Sequence, residues 1–120
     1  MQKRILVVDD DAMNLNRTNR ILEKTYEVLL ADSGQKALEI LMYEKVDLIL
    51  LDIAMPGMNG LETFEHMNEL DNEAPVIFLT ASGDEDDVMS AIRLGAVNYL
   101  KKPFYPQDLL QRIAKELDKT

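Results

Sequence analysis

The sequence predicts a single α/β domain, spanning residues 1–120, in which helices cover both faces of a five-stranded parallel sheet. Five short runs rich in β-branched and aliphatic residues have the composition of buried strands. The segments between them carry apolar residues at helical spacing. Strict alternation of strand and helix is typical of a parallel sheet with right-handed crossover connections. The predicted strands are residues 4–9, 26–31, 46–52, 76–80 and 97–101.

Each of the five remaining segments predicts one helix, because its apolar residues recur so as to form one stripe. Residues 55–60, which are rich in proline and glycine, predict an ordered loop before the third helix. The stripes are Leu15, Ile21 and Leu22 in the first helix; Ala37, Leu38, Leu41 and Met42 in the second; Leu61, Phe64, Met67 and Leu70 in the third; Val88, Ala91, Ile92 and Leu94 in the fourth; and Leu109, Leu110, Ile113 and Leu117 in the fifth.

Capping residues predict where several of these helices begin and end. Asp11 is expected to cap the first helix, and Asp32, with a glutamine three residues later, is a weaker capping candidate for the second. Ser82 precedes a glutamate by three residues and predicts a capping box for the fourth helix. Gly95 suits the left-handed position after that helix, and Pro106 suits the first turn of the fifth.

Composition limits the classes of function. With 13 basic and 22 acidic residues, the formal charge is −9, which disfavours direct binding to nucleic acid. The absence of cysteine excludes disulfides and zinc–thiolate sites. The first predicted strand begins almost at once, and no apolar run approaches the roughly 20 residues that a membrane span needs. We therefore expect a soluble, cytoplasmic domain without a membrane partner.

Polar side chains follow four of the predicted strands at their carboxyl ends. Asp9 and Asp10 follow the first strand, and Asp52 ends the third. Thr80 ends the fourth strand, and Lys102 follows the fifth. Ligands of open parallel sheets bind at this edge, next to the point where the strand order reverses. If the order is 2-1-3-4-5, as in flavodoxin-like folds, the loops after the first and third strands are neighbours, and the acids converge.

Converging carboxylates predict a metal site and a phosphate chemistry. Several carboxylates in close contact cannot all remain ionised without a cation. Oxygen ligands of this kind suit Mg²⁺, or alternatively Mn²⁺. A divalent metal, the ammonium of Lys102 and the hydroxyl of Thr80 are groups that stabilise phosphoryl oxygens. Asp52 is then available as a nucleophile that forms an aspartyl phosphate.

These residues lie in four segments that together closely resemble the receiver domain of two-component response regulators. The match runs through the whole chain, in order and at the family's spacing, and it implies the flavodoxin-like fold with sheet order 2-1-3-4-5 and five helices. The segments are Ile5-Leu6-Val7-Val8-Asp9-Asp10, Leu51-Asp52-Ile53-Ala54-Met55-Pro56-Gly57-Met58-Asn59-Gly60, Thr80-Ala81, and Tyr99-Leu100-Lys101-Lys102-Pro103-Phe104.

The resemblance implies a role for each site residue. Asp52 is the expected phosphoacceptor, and Lys102 is expected to pair with the acyl phosphate. Asp10, Asp52 and the backbone carbonyl of Ala54 are expected to ligate Mg²⁺ directly, while Asp9 is expected to hold it mainly through water.

The remaining implied roles concern the switch. Thr80 is expected to move toward the phosphoryl group, and Tyr99 to reorient with it, although Tyr99 could instead be an ordinary core aromatic. Alternation along the strand sends Lys101 and Lys102 to opposite sides, and the resemblance selects Lys102, with a cis peptide bond before Pro103.

The resemblance also implies partners. The phosphoryl group is expected to come from a phosphohistidine on a sensor histidine kinase or a histidine phosphotransfer protein. A downstream target is expected on the surface formed by the fourth helix, fifth strand and fifth helix, with the chain a monomer or a phosphorylation-linked dimer. Such a domain is a switch that assists its own phosphorylation and dephosphorylation rather than a turnover enzyme.

Three other functions fit these residues less well. A phosphatase with an aspartate nucleophile typically needs a second acid two residues later, where this chain has Ala54. A flavin-binding protein needs a first loop that cradles phosphate, whereas the consecutive acids at residues 9–11 would repel one. A receiver-like module that works without phosphorylation normally lacks one of the acids, the threonine or the lysine, and here all are present.

Overall fold

The computed structural model describes residues 2–81 and 85–119, and within them five strands alternate with five helices. No helix in these two stretches is long and apolar enough to cross a membrane. The elements are β1 (Arg4–Val8), α1 (Ala12–Leu22), β2 (Glu27–Ala31), α2 (Gly34–Tyr43), β3 (Leu48–Asp52), α3 (Gly60–Glu69), β4 (Val76–Thr80), α4 (Glu85–Arg93), β5 (Asn98–Lys101) and α5 (Pro106–Leu117).

The sheet has the order β2-β1-β3-β4-β5, and every neighbouring pair is parallel. The predicted fold class and strand order are therefore confirmed. The predicted strand bounds hold to within two residues, the largest difference being that β3 begins at Leu48. Because β1 lies between β2 and β3, the chain reverses its direction of growth across the sheet at β1, and the loops that follow β1 and β3 are adjacent.

Alternate residues of the strands face two separate apolar cores. One core packs against α1 and α5, and the other packs against α2, α3 and the residues in and just after α4. Apart from Arg4 at the start of β1, every residue of β1, β3 and β4 is buried, which explains why these strands are continuous apolar runs rather than alternating ones. The sheet is thus a rigid platform from which its carboxyl-end loops project.

Helix caps agree with the sequence at most positions. Asp11 caps α1 by accepting from the amides of Met13 and Asn14, and Pro106 is the first residue of α5. Gly95 has a φ of +105°, as its position after α4 requires. Asp32 was the wrong prediction for α2, because Ser33 is the cap and its hydroxyl accepts from the amide of Lys36. The predicted cap at Ser82 lies outside the described residues.

The helix α3 begins one residue earlier than the predicted loop allows. Gly60 was assigned to that loop, but it is the first helical residue. Asn59 precedes it as the cap and accepts from the amide of Glu62, whose carboxylate accepts from the amide of Asn59. This capping box satisfies otherwise unpaired amides at the helix start, and so overrides the local preference of glycine for loops.

Among the side chains that the structure describes, three members of the predicted apolar stripes lie on the surface instead. Met42 is 63% exposed, Leu70 is 47% exposed and Ile92 is 49% exposed. Met42 is off the stripe because Ile40 packs against the core together with Leu38 and Leu41. Leu70 lies past the end of α3, where it is the capping residue. Ile92 is turned away because its neighbour Ala91 faces the sheet.

Candidate functional site

Three consecutive acids after β1 occupy three different environments. Asp9 is buried, and its Oδ1 accepts from the amide of Asp11 at 2.9 Å. Asp10 is exposed, and Asp11 is committed to capping α1. The amide of Asp9 donates to the carbonyl of Ala31 at the end of β2 (3.1 Å), which fixes the turn at the edge of the sheet. Asp9 and Asp10 thus lie on a short, anchored turn with carboxylate oxygens close enough to share one ligand.

Asp52 is the last residue of β3 and is only 5% exposed. Its Oδ2 accepts from the ammonium of Lys102 at 3.2 Å. Its Oδ1 is buried and has no hydrogen-bond partner within the described part of the chain. An ionised carboxylate oxygen buried without a partner is costly, and such atoms usually mark a bound ion, a water or a reactive group.

Lys102 enters the site from the loop after β5. Its amide donates to the carbonyl of Thr80 at 2.7 Å, and its peptide bond to Pro103 is cis, as the resemblance implied. Its Nζ lies 2.9 Å from Asp9 Oδ2 as well as 3.2 Å from Asp52 Oδ2. Lys101, by contrast, is exposed in β5. The structure therefore places Lys102, rather than Lys101, in contact with the acids.

Burial and charge set the protonation of these groups. Burial raises the pKa of Asp52 from its ordinary value of 3.8 to about 6, where the positive charge of Lys102 opposes the rise and the negative charge of Asp9 adds to it. Burial alone would lower the pKa of Lys102, but its hydrogen bonds and ion pairs with Asp9 and Asp52 outweigh that and raise it. Lys102 is a fixed cation, and Asp52 is an anion whose charge is incompletely compensated.

The acids fit a divalent metal ion. Oxygen atoms from Asp9, Asp10 and Asp52 all lie within 4.8 Å of one another, in a search confined to the described residues. Three carboxylates offer the hard oxygen ligands that Mg²⁺ and Mn²⁺ prefer. The buried Oδ1 of Asp52 has a lone pair that none of the described residues engages. The donor set therefore supports a metal ion between β1 and β3.

The other predicted site residues are Thr80, Ala54 and Tyr99, and they differ in position and burial. Thr80 is buried at the end of β4, next to the strand that carries Asp52. Ala54 is exposed in the loop two residues after Asp52. Tyr99 is 42% exposed and pairs with Phe78 in the sheet, so that it is not a core aromatic. The acids, Lys102 and Thr80 share one edge of the sheet, whereas the Tyr99 side chain lies at the surface.

Sequence reasoning did not single out the cleft beside this site. A cleft of about 300 Å³ borders Lys102, and its other walls come from α1 and from the two loops after β4 and β5. No sequence pattern identifies the residues that line this cleft. The apolar stripe of α1 predicts which face is buried, but it does not predict which loops contact the polar face. The lining residues besides Lys102 are Asn14, Arg17, Thr18, Ala81, Pro103 and Phe104.

Comparison with known proteins gives the family. The family model described as the response regulator receiver domain matches residues 5–114, and the chain belongs to this family. Receiver domains are signalling domains rather than turnover enzymes.

Two curated relatives and one solved structure illustrate the match. The chain is 39% identical over 118 residues to the transcriptional regulatory protein YvrH of Bacillus subtilis, covering 97% of this chain and 49% of that protein. It is 39% identical over 121 aligned positions to the phosphate regulon transcriptional regulatory protein PhoB of Pseudomonas aeruginosa, covering 98% and 53%. The chain thus spans about half the length of these curated relatives.

The fold also matches a solved receiver domain over nearly the whole of both chains. A CheY-like response regulator receiver domain protein from Methanospirillum hungatei superposes with a TM-score of 0.94 at 36% identity, covering 99% of this chain and 96% of that one. The described fold is therefore that of a receiver domain.

Proposed function

We propose that the chain is a phosphoacceptor switch in a two-component phosphorelay, in which Asp52 receives a phosphoryl group from a phosphohistidine in a Mg²⁺-dependent reaction. The proposal rests on the groups that surround the carboxylate of Asp52. Its Oδ2 is held by Lys102 at 3.2 Å, its Oδ1 is buried without a partner among the described residues, and Asp9 and Asp10 lie within metal-ligating reach. A carboxylate oriented by one cation and next to a second cation site suits nucleophilic attack on phosphorus.

The proposed transfer exchanges one bond to phosphorus for another. A carboxylate oxygen of Asp52 forms a bond to phosphorus, the nitrogen–phosphorus bond of the phosphohistidine breaks, and the histidine nitrogen leaves with the bonding electron pair. The ammonium of Lys102 stabilises charge on the phosphoryl oxygens. When bound, Mg²⁺ would be held by Asp10, Asp52 and the Ala54 carbonyl, with Asp9 acting mainly through water, and would neutralise charge on the acids and the phosphoryl group.

The proposed switch uses Thr80 and Tyr99. The Thr80 hydroxyl would move to hydrogen-bond a phosphoryl oxygen, and Tyr99 would reorient from its present half-exposed position into the space that this movement opens. A phosphoryl group adds up to about two negative charges and strong hydrogen-bond acceptors. A bias of a few kcal/mol is enough to shift a surface between two conformations.

The proposed surface for a downstream target is that of α4, β5 and α5. Several large apolar side chains are exposed in this part of the chain, which supports a docking role. We further propose that the chain is cytoplasmic, that its phosphodonor is a sensor histidine kinase or a histidine phosphotransfer protein, and that it is a monomer or a phosphorylation-linked dimer. The exposed apolar residues are Met89, Ile92, Val97, Tyr99 and Tyr105.

The direct test is intact mass after incubation with a small phosphodonor. Acetyl phosphate and phosphoramidate would be used separately, with and without Mg²⁺, on the wild type, on Asp52→Asn and on Asp11→Asn as a control at the capping acid. We expect a Mg²⁺-dependent gain of one phosphoryl group in the wild type and in the control, and no gain in Asp52→Asn. A wild type that gains nothing from either donor, or an Asp52→Asn variant that gains as much as the wild type, would overturn the proposal.

A further inference from the structure

Gly60 lies directly against the end of the strand that carries Asp52. It is the first residue of α3, and its amide donates to the carbonyl of Ile53 at 2.8 Å. This bond closes the loop formed by residues 54–59, so that the start of α3 and the end of β3 are in contact across the loop. The backbone carbonyl of Asp52 and the backbone of Gly60 are therefore packed against each other, and this contact is called the junction below.

The junction has no room for a side chain at residue 60. A Cβ atom there would lie 2.7 Å from Ile53 Cα and 2.9 Å from the carbonyl carbon of Asp52, and it would overlap the carbonyl oxygen of Asp52. Real Cβ contacts essentially never fall below 3.0 Å. All three obstructing atoms belong to the backbone, so no change of rotamer could relieve the overlap.

The peptide unit between Asp52 and Ile53 is also held from its other side. The amide of Ile53 donates to the carbonyl of Leu79 in β4 at 3.0 Å. A methyl group at residue 60 would therefore either break this bond or push α3 away from β3. An ordinary van der Waals contact starts at 3.4 Å, so the Cβ would have to move about 0.7 Å away from Ile53 Cα and further still to clear the Asp52 carbonyl oxygen.

We infer that Gly60 is a positioning residue for the phosphoacceptor: the absence of its side chain lets α3 seat the Asp52 backbone so that the carboxylate reaches the Lys102 ammonium and the neighbouring acids together. The inference rests on the proposed function of Asp52. Asp9 and Lys102 lie just after β1 and β5, so they do not move with β3. If Asp52 is displaced, its distances to both residues change. The same junction fixes the loop that carries Ala54, and Gly60 thereby sets two of the proposed metal ligands at once.

The test compares Gly60→Ala with Gly34→Ala. Gly34 is a matched control because it is also the first residue of a helix, and a Cβ there would also overlap a neighbour. That neighbour is the Thr63 side-chain oxygen, with Thr63 Cβ at 3.2 Å and Met58 Sδ at 3.3 Å, rather than the acceptor's backbone. Both variants therefore crowd the start of a helix, but only Gly60→Ala presses directly on the backbone of Asp52, whereas Gly34→Ala presses on side chains.

Three quantities would be measured on each folded variant: the midpoint of thermal unfolding, the Mg²⁺ dissociation constant by NMR titration, and the rate of phosphorylation by acetyl phosphate at saturating Mg²⁺. Both variants are expected to unfold at lower temperature than the wild type. Gly60→Ala is expected to lose about 10- to 100-fold in rate, since displacements of this size have effects of that order, and to bind Mg²⁺ more weakly. Gly34→Ala is expected to retain the wild-type rate and Mg²⁺ affinity within about threefold.

The outcomes separate this inference from the proposed function. If the wild type is phosphorylated and the two variants retain equal rates and equal Mg²⁺ affinities, the positioning role is wrong and the proposed function stands. If the wild type is not phosphorylated by either small donor, the proposed function itself fails.

A measurement on the wild type covers the case in which Gly60→Ala does not fold. Amide hydrogen exchange at Gly60 and Ile53 would be followed with and without Mg²⁺. Because these amides hold the two ends of the acceptor loop, the inference predicts slower exchange at both when the metal binds. Unchanged exchange at both, in a sample where Mg²⁺ shifts the Asp10 resonances, would contradict it.

Discussion

The ammonium of Lys102 lies 3.2 Å from the carboxylate of Asp52, although the two residues are 50 positions apart in the sequence. The same ammonium lies 2.9 Å from Asp9. Asp9, Asp52 and the exposed Asp10 contribute three negative charges against one positive charge, which leaves a formal charge of −2. One lysine therefore pairs with two of the acids but does not neutralise the site. The remaining formal charge of −2 matches a divalent cation.

Replacing Lys102 should reveal this role without any phosphodonor. In Lys102→Met, Asp9 and Asp52 would face each other without their shared cation, and we expect the free energy of unfolding at pH 7 without Mg²⁺ to fall by about 2 kcal/mol or more. Urea denaturation at pH 7 and pH 4 measures this change. The loss should shrink at pH 4, because Asp52, whose pKa is raised by burial to about 6, is protonated there and no longer repels Asp9.

Lys101→Met is the control, since the Lys101 side chain is exposed on the neighbouring residue of the same segment. Its free energy of unfolding should stay within about 0.5 kcal/mol of the wild type, as for most surface substitutions. Equal stability of the two variants at pH 7 would show that Lys102 does not stabilise the acids.

Neutralising Asp52 should have the opposite effect on stability. Burial raises its pKa to about 6 in the folded chain, against an ordinary value of 3.8. The folded state thus holds the proton more tightly than the unfolded state, and the wild type loses stability as the pH rises through that interval. Asp52→Asn has no such loss, so we expect it to be more stable than the wild type at pH 7 by on the order of 1–3 kcal/mol.

The pH profile is the decisive measurement for Asp52. The advantage of Asp52→Asn should be absent below about pH 3.8 and complete above about pH 6, because these values are the unfolded and folded pKa. Glu65→Gln, at an exposed acid on α3, should run parallel to the wild type across the same range. An advantage for Asp52→Asn that is independent of pH would mean that packing, rather than the buried charge, is responsible.

The fold and the main site residues could be predicted because both follow from local patterns. The buried strands are continuous apolar runs, and a polar residue after each run must lie at the carboxyl edge of the sheet. That reasoning placed Asp9, Asp52 and Lys102 at one edge, and the structure joins them through hydrogen bonds. The strand order, which brings β1 beside β3, makes neighbours of residues that are distant in sequence.

The errors arose where tertiary contacts outweigh local preference. Gly60 was assigned to a loop on composition, but its tight contact with β3 and the capping box place it in α3. Ser33 rather than Asp32 caps α2, a choice between adjacent capping residues that sequence cannot make. Apolar periodicity also could not tell that Ile92 faces solvent while Ala91 faces the sheet.

The free edge of β5 yields a third prediction. The Arg112 guanidinium on α5 donates to Asn98 Oδ1 at 2.7 Å and to the carbonyl of Tyr99 at 3.0 Å, and Asn98 Oδ1 also accepts from the amide of Tyr99 at 2.8 Å. Arg112→Ala should therefore lower the free energy of unfolding by about 1 kcal/mol. It should also speed amide hydrogen exchange at Tyr99 relative to residues in β3.

Lys115→Ala, at an exposed residue one turn further along α5, controls for loss of positive charge and should leave exchange at Tyr99 unchanged. If Arg112→Ala and Lys115→Ala give the same exchange rate at Tyr99, the Arg112 bonds do not restrain the strand edge.

Mg²⁺ should stabilise the chain through Asp10, and the neighbouring acid provides the control. A ligand that binds only the folded state at ten times its dissociation constant stabilises it by about 1.4 kcal/mol. Thermal unfolding with and without Mg²⁺ should show this gain in the wild type. The Asp10→Asn variant should lose most of the gain. Asp11→Asn should keep the full gain, because Asp11 caps α1 and asparagine caps a helix equally well. Equal losses in the two variants would mean that Mg²⁺ responds only to the general negative charge of this loop, and an undiminished gain in Asp10→Asn would remove Asp10 from the proposed ligands.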